Sequence, residues 1–193
     1  QRGFVVTKPN CSIQSYVPAL EPLRDFGPAQ VSVTTFQAIS GAGKTFATWP
    51  EMADNVIPFI GGEEEKSIRE PLKIWGKLVD GQIRPADTPL ISAQCLRVPV
   101  SDGHMAAVSV AFERKPPADL VISRWREFRG SPRASNLPSS PRPFLTYFDE
   151  ENRPQTRLDR DAGRGMGVTL GRLRDDSIFH YRFVALSHNT VRG

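Results

Sequence analysis

The strands of this chain are predicted by short runs in which apolar and polar residues alternate. Residues 31–36 alternate strictly, and residues 90–98 and 104–112 form two longer apolar runs joined at a Ser-Asp-Gly turn. Because so short a turn separates the two long runs, we expect them to pair as a hairpin. Four shorter segments also have strand character: 3–6, 145–148, 166–170 and 179–186.

Helical spacing marks three further segments. Residues 11–23 follow Asn10, a residue type that favours the N-cap position, and residues 118–128 form a second helix. A third helix begins at Glu63 and carries four apolar side chains on one face: Ile68, Leu72, Trp75 and Leu78. Pro71 is expected to kink or split it. Strands predominate and do not alternate regularly with helices, so we predict an α+β fold with one mixed, largely antiparallel sheet and helices on one face.

The composition limits the classes of protein to which the chain can belong. Its 193 residues suit one domain of substantial size, and 39% hydrophobic residues is ordinary for a globular protein. No apolar run approaches the ~20 residues of a membrane span, and the first residues have no signal-peptide pattern. We interpret Cys11 and Cys95 as free thiols in a reducing compartment, and we therefore expect a cytoplasmic protein without membrane association.

The net charge of +4 raises the question of nucleic-acid binding, because arginines are frequent in the second half of the chain. However, Arg129, Arg133 and Arg142 lie among prolines and serines, and no series of aromatic residues for base stacking accompanies them. The Pro/Ser-rich segment 131–143 is predicted to be a loop, and a solvated loop or the binding of anionic substrates explains the arginines as well. Nucleic acid is therefore not expected as a partner.

The sequence around Cys11 indicates a reactive thiol. The cysteine lies in the run Pro9-Asn10-Cys11-Ser12, where a predicted strand meets the start of a predicted helix. The partial positive charge at a helix N-terminus stabilises a thiolate, so the pKa of Cys11 is expected to fall from ~8.5 toward neutrality. A buried structural cysteine is the alternative, but the polar neighbours of Cys11 do not suit an inert core thiol.

A glycine-rich loop and two further side chains extend this candidate site. The loop, residues 37–43, is followed by Lys-Thr as in a P-loop, but Ala38 stands where that motif needs a glycine. His104 begins a predicted strand, and the predicted hairpin would bring it into one cleft with Arg97. The planar guanidinium of Arg97 suits a carboxylate. Cysteine, histidine and arginine together suggest covalent catalysis on an anionic acyl substrate.

Other charged residues and histidines have less specific patterns. Glu63 and Lys66 are i, i+3 neighbours that could act as one unit, whereas helix capping with solvated charges explains the acidic residues between them. His180 and His188 do not form a recognisable ligand set with other residues, so no metal site is predicted.

Four segments, in order and at matching spacings, resemble the aspartate-semialdehyde dehydrogenase family. They are Pro9-Asn10-Cys11-Ser12, residues 37–43, residues 95–100 with Gly103-His104, and Ser187-His188-Asn189-Thr190. The sequence looks closest to the fungal and archaeal branch. The resemblance implies a glyceraldehyde-3-phosphate-dehydrogenase-like C-terminal domain. It also implies NADPH-dependent reduction of aspartyl-4-phosphate to aspartate semialdehyde, in the biosynthesis of lysine, threonine, methionine and isoleucine.

The resemblance implies a role for each residue of the candidate site. Three residues would take part in the chemistry: the nucleophile Cys11, which forms a thioester, the general acid/base His104 and the substrate-positioning Gln37. Four would bind substrate: Arg97 its carboxylate, Glu63 its amino group, Lys66 its phosphate, and Asn10 beside the nucleophile. Four would contact NADP(H) near its nicotinamide: Ser40, Gly41, Gly43 and Asn189.

The resemblance further implies that residues 1–193 are the catalytic and dimerisation domain of a longer enzyme. The family begins with an NADP-binding Rossmann domain, and no segment of this sequence has its glycine-rich fingerprint. We therefore expect a homodimer, with a tetramer as a further assembly of the full-length enzyme, and expect the chain alone to bind no cofactor or metal and to be inactive. Two alternatives stay open: N-acetyl-glutamyl-phosphate reductase, and a non-catalytic dimerisation module of the same fold.

Overall fold

The computed structural model describes residues 8–193, so the strand predicted at 3–6 lies outside the described residues. The α-helices are α1 (Ile13–Leu20), α2 (Glu63–Ile74), α3 (Ala118–Glu127), α4 (Pro132–Ser135) and α5 (Thr156–Asp159). The first strands are β1 (Pro28–Gln37), β2 (Lys77–Val79), β3 (Gln82–Arg84) and β4 (Leu90–Arg97). The remaining strands are β5 (His104–Phe112), β6 (Leu145–Phe148), β7 (Val168–Asp175) and β8 (Tyr181–Ser187).

Six of these strands form one mixed sheet in the order β4-β1-β5-β8-β7-β6, and β2 and β3 form a separate hairpin. The outer pairs, β1 with β4 and β6 with β7, are parallel. The three inner pairs are antiparallel. The predicted α+β class with a mixed, largely antiparallel sheet is therefore confirmed.

The predicted hairpin between the two long runs is wrong, because β1 lies between β4 and β5. The connection at residues 98–103 crosses the end of β1 and bonds to the chain that follows it. The Val98 N–H donates to the Gln37 carbonyl at 3.0 Å, and the Ile39 N–H donates to the Val100 carbonyl at 2.9 Å. These bonds let a short connection carry the chain across one strand instead of turning back beside it.

The core lies on one face of the sheet, as alternation along the strands requires. In β1, Val31 and Val33 point into it, and Val108 and Phe183 do so from β5 and β8. Helices α1 and α3 cover this face, with Trp125 of α3 fully buried. On the opposite face, the side chains of β1 and β5 are half-exposed. Among the described residues 8–193, no layer of helices covers this face in the way that α1 and α3 cover the core.

Helix α2 contains Pro71 without being split by it. Proline has no N–H to donate to the carbonyl of Ser67, one turn earlier. The buried hydroxyl of Tyr16 on α1 donates to that carbonyl instead, at 2.8 Å. The Ser67 carbonyl, which lacks a donor within α2, thus accepts a hydrogen bond that joins α2 to α1.

The face that α2 buries also differs from the prediction. Its buried residues are Glu63, Ser67 and Pro71, followed by Trp75 at the C-cap. Of the expected apolar face, only Trp75 is buried, and Leu78 lies in β2 with 74% of its surface exposed. The reason is that α2 packs against β4 and α1, where its polar residues meet the polar turn that precedes α1.

Two further predictions need correction at their boundaries. Helix α1 begins at Ile13 rather than residue 11, with Ser12 at the N-cap, and the chain continues from Leu20 as a 3-10 helix, Glu21–Phe26. The segment 131–143 is not entirely a loop, since α4 forms within it. In the part of the chain that the structure describes, no helix is long and apolar enough to cross a membrane.

Candidate active site

Three of the predicted site residues meet at one end of the sheet. Strands β1 and β4 are parallel, so their carboxyl ends lie side by side, and Gln37 pairs in register with Arg97. Strand β5 runs antiparallel to β1 and therefore begins at the same end, with His104 as its first residue. Topology alone thus brings together side chains that are distant in sequence.

The peptide of Ala38 fixes two of these side chains. Its N–H donates to Nδ1 of His104 at 3.0 Å, and its carbonyl accepts a hydrogen bond from Nη1 of Arg97 at 2.7 Å. Both side chains are buried, with His104 0% and Arg97 6% exposed. A Cβ atom at Gly41 would lie 2.7 Å from Nη1 of Arg97 and 2.9 Å from Nε2 of His104. Only a glycine leaves this space open.

The hydrogen bond from Ala38 also sets the protonation of His104. Since Nδ1 accepts this bond, the proton of the neutral ring is assigned to Nε2. Burial, followed by the positive charge of Arg97, lowers the pKa of His104 to about 3. Nε2 is buried and has no hydrogen-bond partner among the described residues. At neutral pH, His104 is therefore an uncharged ring that can donate a hydrogen bond through Nε2.

The nucleophile candidate lies in a turn that Asn10 organises. Oδ1 of Asn10 accepts hydrogen bonds from the N–H of Ser12 at 2.8 Å and from its hydroxyl at 2.6 Å. Nδ2 of Asn10 donates to both carboxylate oxygens of Glu63, each at 3.0 Å. Asn10 is thus not the N-cap of α1 but the residue that closes the turn around Cys11, and its side chain is already fully hydrogen-bonded.

Glu63, the first residue of α2, connects this turn to the sheet. Besides Asn10 it accepts hydrogen bonds from Nε2 of Gln37 at 3.2 Å and from Nζ of Lys66 at 3.0 Å. Burial raises the pKa of Glu63, but the hydrogen bonds from Asn10, Lys66 and Gln37 outweigh this and hold its pKa below the usual value. An ionised Glu63 is therefore the common partner of the nucleophile turn, the sheet edge and Lys66, whose side chain is 51% exposed.

The prediction that a helix N-terminus activates Cys11 is wrong. The helix begins two residues later, and the pKa of Cys11 is raised, first by burial and then by the negative charge of Glu63. Lys8, a backbone hydrogen bond and Arg97 lower this pKa but do not compensate. The resting thiol is therefore protonated at neutral pH. Cys95 is also a free thiol, but it is fully buried beneath the site, and its Sγ lies 3.7 Å from the Ser67 hydroxyl.

The four residues expected near the nicotinamide also form one group. Asn189 accepts a hydrogen bond from the Gly103 N–H at 2.8 Å and donates from Nδ2 to the Ser40 hydroxyl at 3.0 Å. Ser40 and Gly41 lie in the 3-10 turn Ile39–Ala42, which Gly43 ends with a φ of +68°. The group borders Arg97 and His104 through Gly41, whose surface is exposed.

Sequence reasoning missed three residues that hold this site together. Glu70 accepts the main-chain N–H of Asn10 at 2.6 Å, the Ser67 hydroxyl lies 3.3 Å from that of Ser12, and Tyr16 binds the Ser67 carbonyl. Ser67 and Glu70 follow Glu63 at i+4 and i+7, which places them on the same helical face. This spacing is the sequence signal from which both could have been predicted.

Two observations limit what else this part of the molecule does. Within residues 8–193, no group of three or more His, Cys, Asp or Glu side chains could hold a metal ion. A cavity of about 440 Å³ lies elsewhere, between α1, the end of α2 and the segment 128–141, with Trp75 and Phe144 in its walls. None of the site residues lines it, so it is separate from the candidate active site.

The sheet order and the residues at its end place the chain in the class of glyceraldehyde-3-phosphate-dehydrogenase-like C-terminal domains. Comparison with known proteins agrees and narrows the class. A family model described as the semialdehyde dehydrogenase dimerisation domain matches residues 20–192. The chain therefore belongs to the semialdehyde dehydrogenase family.

Individual relatives carry the name aspartate-semialdehyde dehydrogenase. The protein of that name from Methanothermobacter thermautotrophicus is 45% identical over 99% of this chain, and the one from Schizosaccharomyces pombe is 43% identical over 100%. The chain spans 56% of the length of each. The crystal structure of the Candida albicans aspartate-semialdehyde dehydrogenase with NADP has a TM-score of 0.85 and 38% identity, covering 99% of this chain and 55% of its own.

Proposed function

We propose that this chain is the catalytic and dimerisation domain of an NADP-dependent aspartate-semialdehyde dehydrogenase. The enzyme reduces aspartyl-4-phosphate to aspartate semialdehyde in the biosynthesis of lysine, threonine, methionine and isoleucine. The observation that carries the proposal is the convergence of the Cys11 turn, Glu63 and Gln37 in one hydrogen-bonded network, next to Arg97 and His104. The names of relatives that match the whole chain support the substrate.

The reaction requires a nucleophile and a leaving group. Sγ of Cys11 forms a bond to the acyl carbon and the carbon–oxygen bond to phosphate breaks. Phosphate leaves with the electron pair of that bond and takes up the proton that the thiol loses, so it is released as hydrogen phosphate. The product is a thioester on Cys11. NADPH, when bound, supplies the hydride that reduces this thioester, and release of the aldehyde regenerates the free thiol.

His104 and Arg97 have distinct parts in this proposal. The Nε2–H of His104 donates a hydrogen bond to the oxygen that becomes negative when sulfur attacks, which is the acid side of the acid/base role expected from the family. Accepting a proton at Nε2 would require the other tautomer and the loss of the Ala38 hydrogen bond. Arg97 has further N–H donors besides the one bound to Ala38, and these suit the substrate carboxylate.

The remaining groups match the charges of the substrate. The side chain of Lys66 is half-exposed beside Glu63, so it can approach a phosphate group without leaving its ion pair. Glu63 is ionised and suits the substrate amino group. Asn10 contributes indirectly, because its side chain holds the turn that contains Cys11.

The residues near the sheet end also suit a nicotinamide. Gly41 has no side chain over Arg97 and His104, and a Cβ there would occupy the space in which a flat ring could approach the reacting carbon. Ser40, Gly43 and Asn189 would hold the ring and its carboxamide beside this space, with Ser40 fixed by Asn189.

The proposal includes a homodimer formed by this domain. The matching family model is described as a dimerisation domain. The sheet face opposite the helices carries half-exposed Phe36, Leu96 and Met105 in adjacent strands, and a second copy would bury them. Sedimentation velocity at micromolar concentration should show a dimer, and a monomer across that range would contradict this part. Assembly of the full-length enzyme into a tetramer, its cytoplasmic location and the absence of nucleic-acid partners remain predictions.

A steady-state assay separates the candidate functions. The full-length enzyme, with NADP and phosphate, should oxidise aspartate semialdehyde much faster than N-acetyl-glutamate semialdehyde, while the 193-residue chain alone should be inactive. Preference for the acetylated aldehyde would identify the related reductase. No turnover of either aldehyde would favour a non-catalytic dimerisation module.

A further inference from the structure

The main chain immediately before Cys11 is anchored by Glu70, a residue outside the set discussed for the reaction. Oε2 of Glu70 accepts the N–H of Asn10 at 2.6 Å. This N–H precedes α1 and has no helical carbonyl to bind, so the carboxylate is its partner. A hydrogen bond to an ionised acceptor is about twice as strong as one between neutral groups.

The anchor is one of three that α2 makes to the same turn. Glu63, Ser67 and Glu70 are spaced i, i+4 and i+7, which places them on one helical face. Glu63 binds the side chain of Asn10, Ser67 lies against the hydroxyl of Ser12, and Glu70 binds the main chain. Together they hold both residues that flank the nucleophile.

The helix that carries these residues is itself fixed to the helix that follows the nucleophile. The carbonyl of Ser67, left free by Pro71, accepts the Tyr16 hydroxyl of α1 at 2.8 Å. Movement of Glu70 relative to α1 is therefore limited at a point one turn away. The turn that contains Cys11 is held at one side by α1 and at the other by Glu70.

We propose that Glu70 is a positioning residue that aligns the Cys11 thiol with the reacting carbon by fixing the Asn10 main chain. This inference rests on the proposed function, and it assigns to Glu70 no contact with substrate or cofactor. The thiol is held in a partly buried position, in which it is aligned for attack but poorly accessible to other reagents.

Removing the carboxylate should therefore move two rates in opposite directions. In Glu70→Ala the turn is released, so Cys11 becomes more exposed and its alkylation by iodoacetamide should accelerate about threefold or more. The same release misaligns the thiol, and because a shift of ~1 Å can cost ~10²-fold, kcat should fall about tenfold or more. General loosening of the fold would instead expose Cys95 as well.

The conservative variant separates the hydrogen bond from the charge. Glu70→Gln keeps an oxygen that can accept the Asn10 N–H, so it should retain most of kcat and normal alkylation. Glu70 also raises the pKa of Lys66, after the larger effects of Glu63 and burial. If this effect of the Glu70 charge on Lys66 were the main role of Glu70, Glu70→Ala and Glu70→Gln would change KM for phosphate to the same extent. Both variants would then leave the alkylation rate of Cys11 unchanged.

The experiment measures kcat, KM for phosphate and the alkylation rates of both cysteines in the full-length enzyme. Glu65→Ala is the matched control, since Glu65 lies on the same helix, is 62% exposed and pairs only with Arg69 among the described residues. Faster alkylation of Cys11 alone with lower kcat in Glu70→Ala, rescued by Glu70→Gln, supports the proposal. Unchanged alkylation of Cys11 in Glu70→Ala overturns it. If the wild-type enzyme turns over no aldehyde, the proposed function fails, and the alkylation rates still decide whether Glu70 holds the turn.

Discussion

Replacing Gly41 with alanine should slow catalysis without unfolding the protein. A methyl group at this position would lie 2.7 Å from Nη1 of Arg97 and 2.9 Å from Nε2 of His104, whereas ordinary contacts begin at 3.4 Å. The guanidinium would therefore have to retreat by about 0.7 Å. It cannot do so freely, because Arg97 is buried and bound to Ala38.

The expected size of the effect follows from this displacement. Since a misplacement of ~1 Å can cost ~10²-fold, a shift of about 0.7 Å corresponds to a loss of roughly 30-fold in kcat. The same clash should lower the free energy of unfolding by about 1–3 kcal/mol, the usual cost of overpacking a buried site, while the φ angle of Gly41, which alanine readily adopts, adds no backbone strain. Removing a glycine also reduces the entropy of the unfolded chain, which favours the folded state.

The assay is the oxidation of aspartate semialdehyde by the full-length enzyme, together with thermal unfolding of each variant. Gly61→Ala is the matched control, since a Cβ at Gly61 meets no atom within 4 Å and its φ is also ordinary. The control should keep wild-type kcat and melting temperature. If Gly41→Ala also keeps kcat within twofold, Arg97 and His104 are not held close to the reacting groups as we infer.

Two further predictions concern the thiol and the contact between helices. Because burial and Glu63 raise the pKa of Cys11, its alkylation by iodoacetamide should keep accelerating from pH 7 to 9. A plateau below pH 8 would show an activated thiolate instead, and Cys11→Ser identifies the signal. Tyr16→Phe leaves the Ser67 carbonyl unsatisfied and should lower the free energy of unfolding by about 1–3 kcal/mol. In a Pro71→Ala background, which restores a helical N–H for that carbonyl, urea denaturation should show a smaller loss. Equal losses in both backgrounds would contradict the proposed role of the tyrosine.

Local patterns predicted most of the secondary structure, because alternation and helical spacing reflect burial within a single element. Strand β5 and the start of α2 are correct for this reason. The order of strands is not a local property, and the hairpin prediction failed because the 98–103 connection bonds to the end of β1. The buried face of α2 was also mispredicted, since a helix over a polar turn can bury Glu63 and Ser67.

Residue type and spacing indicated Arg97 and His104 as site residues, whereas Gln37 was expected only from the family resemblance. Their convergence needs the strand order that brings the ends of β1 and β4 beside the start of β5. The pKa of Cys11 was not predictable, because it depends on burial and on a carboxylate more than 50 residues away in the chain. Glu70 was missed because a hydrogen bond to a main-chain N–H requires no particular residue type at Asn10, and only the i+7 spacing from Glu63 indicates that Glu70 faces the same way.

The most direct test of the central claim is a single-turnover burst measured on the full-length enzyme. Aspartate semialdehyde and NADP can form the thioester, but without phosphate it cannot be converted to aspartyl-4-phosphate and remains on the enzyme. We expect about one NADPH per active site, and mass spectrometry should find an aspartyl group on Cys11. A burst that survives in Cys11→Ser, or an aspartyl group on Cys95, would contradict the assignment of Cys11 as the nucleophile.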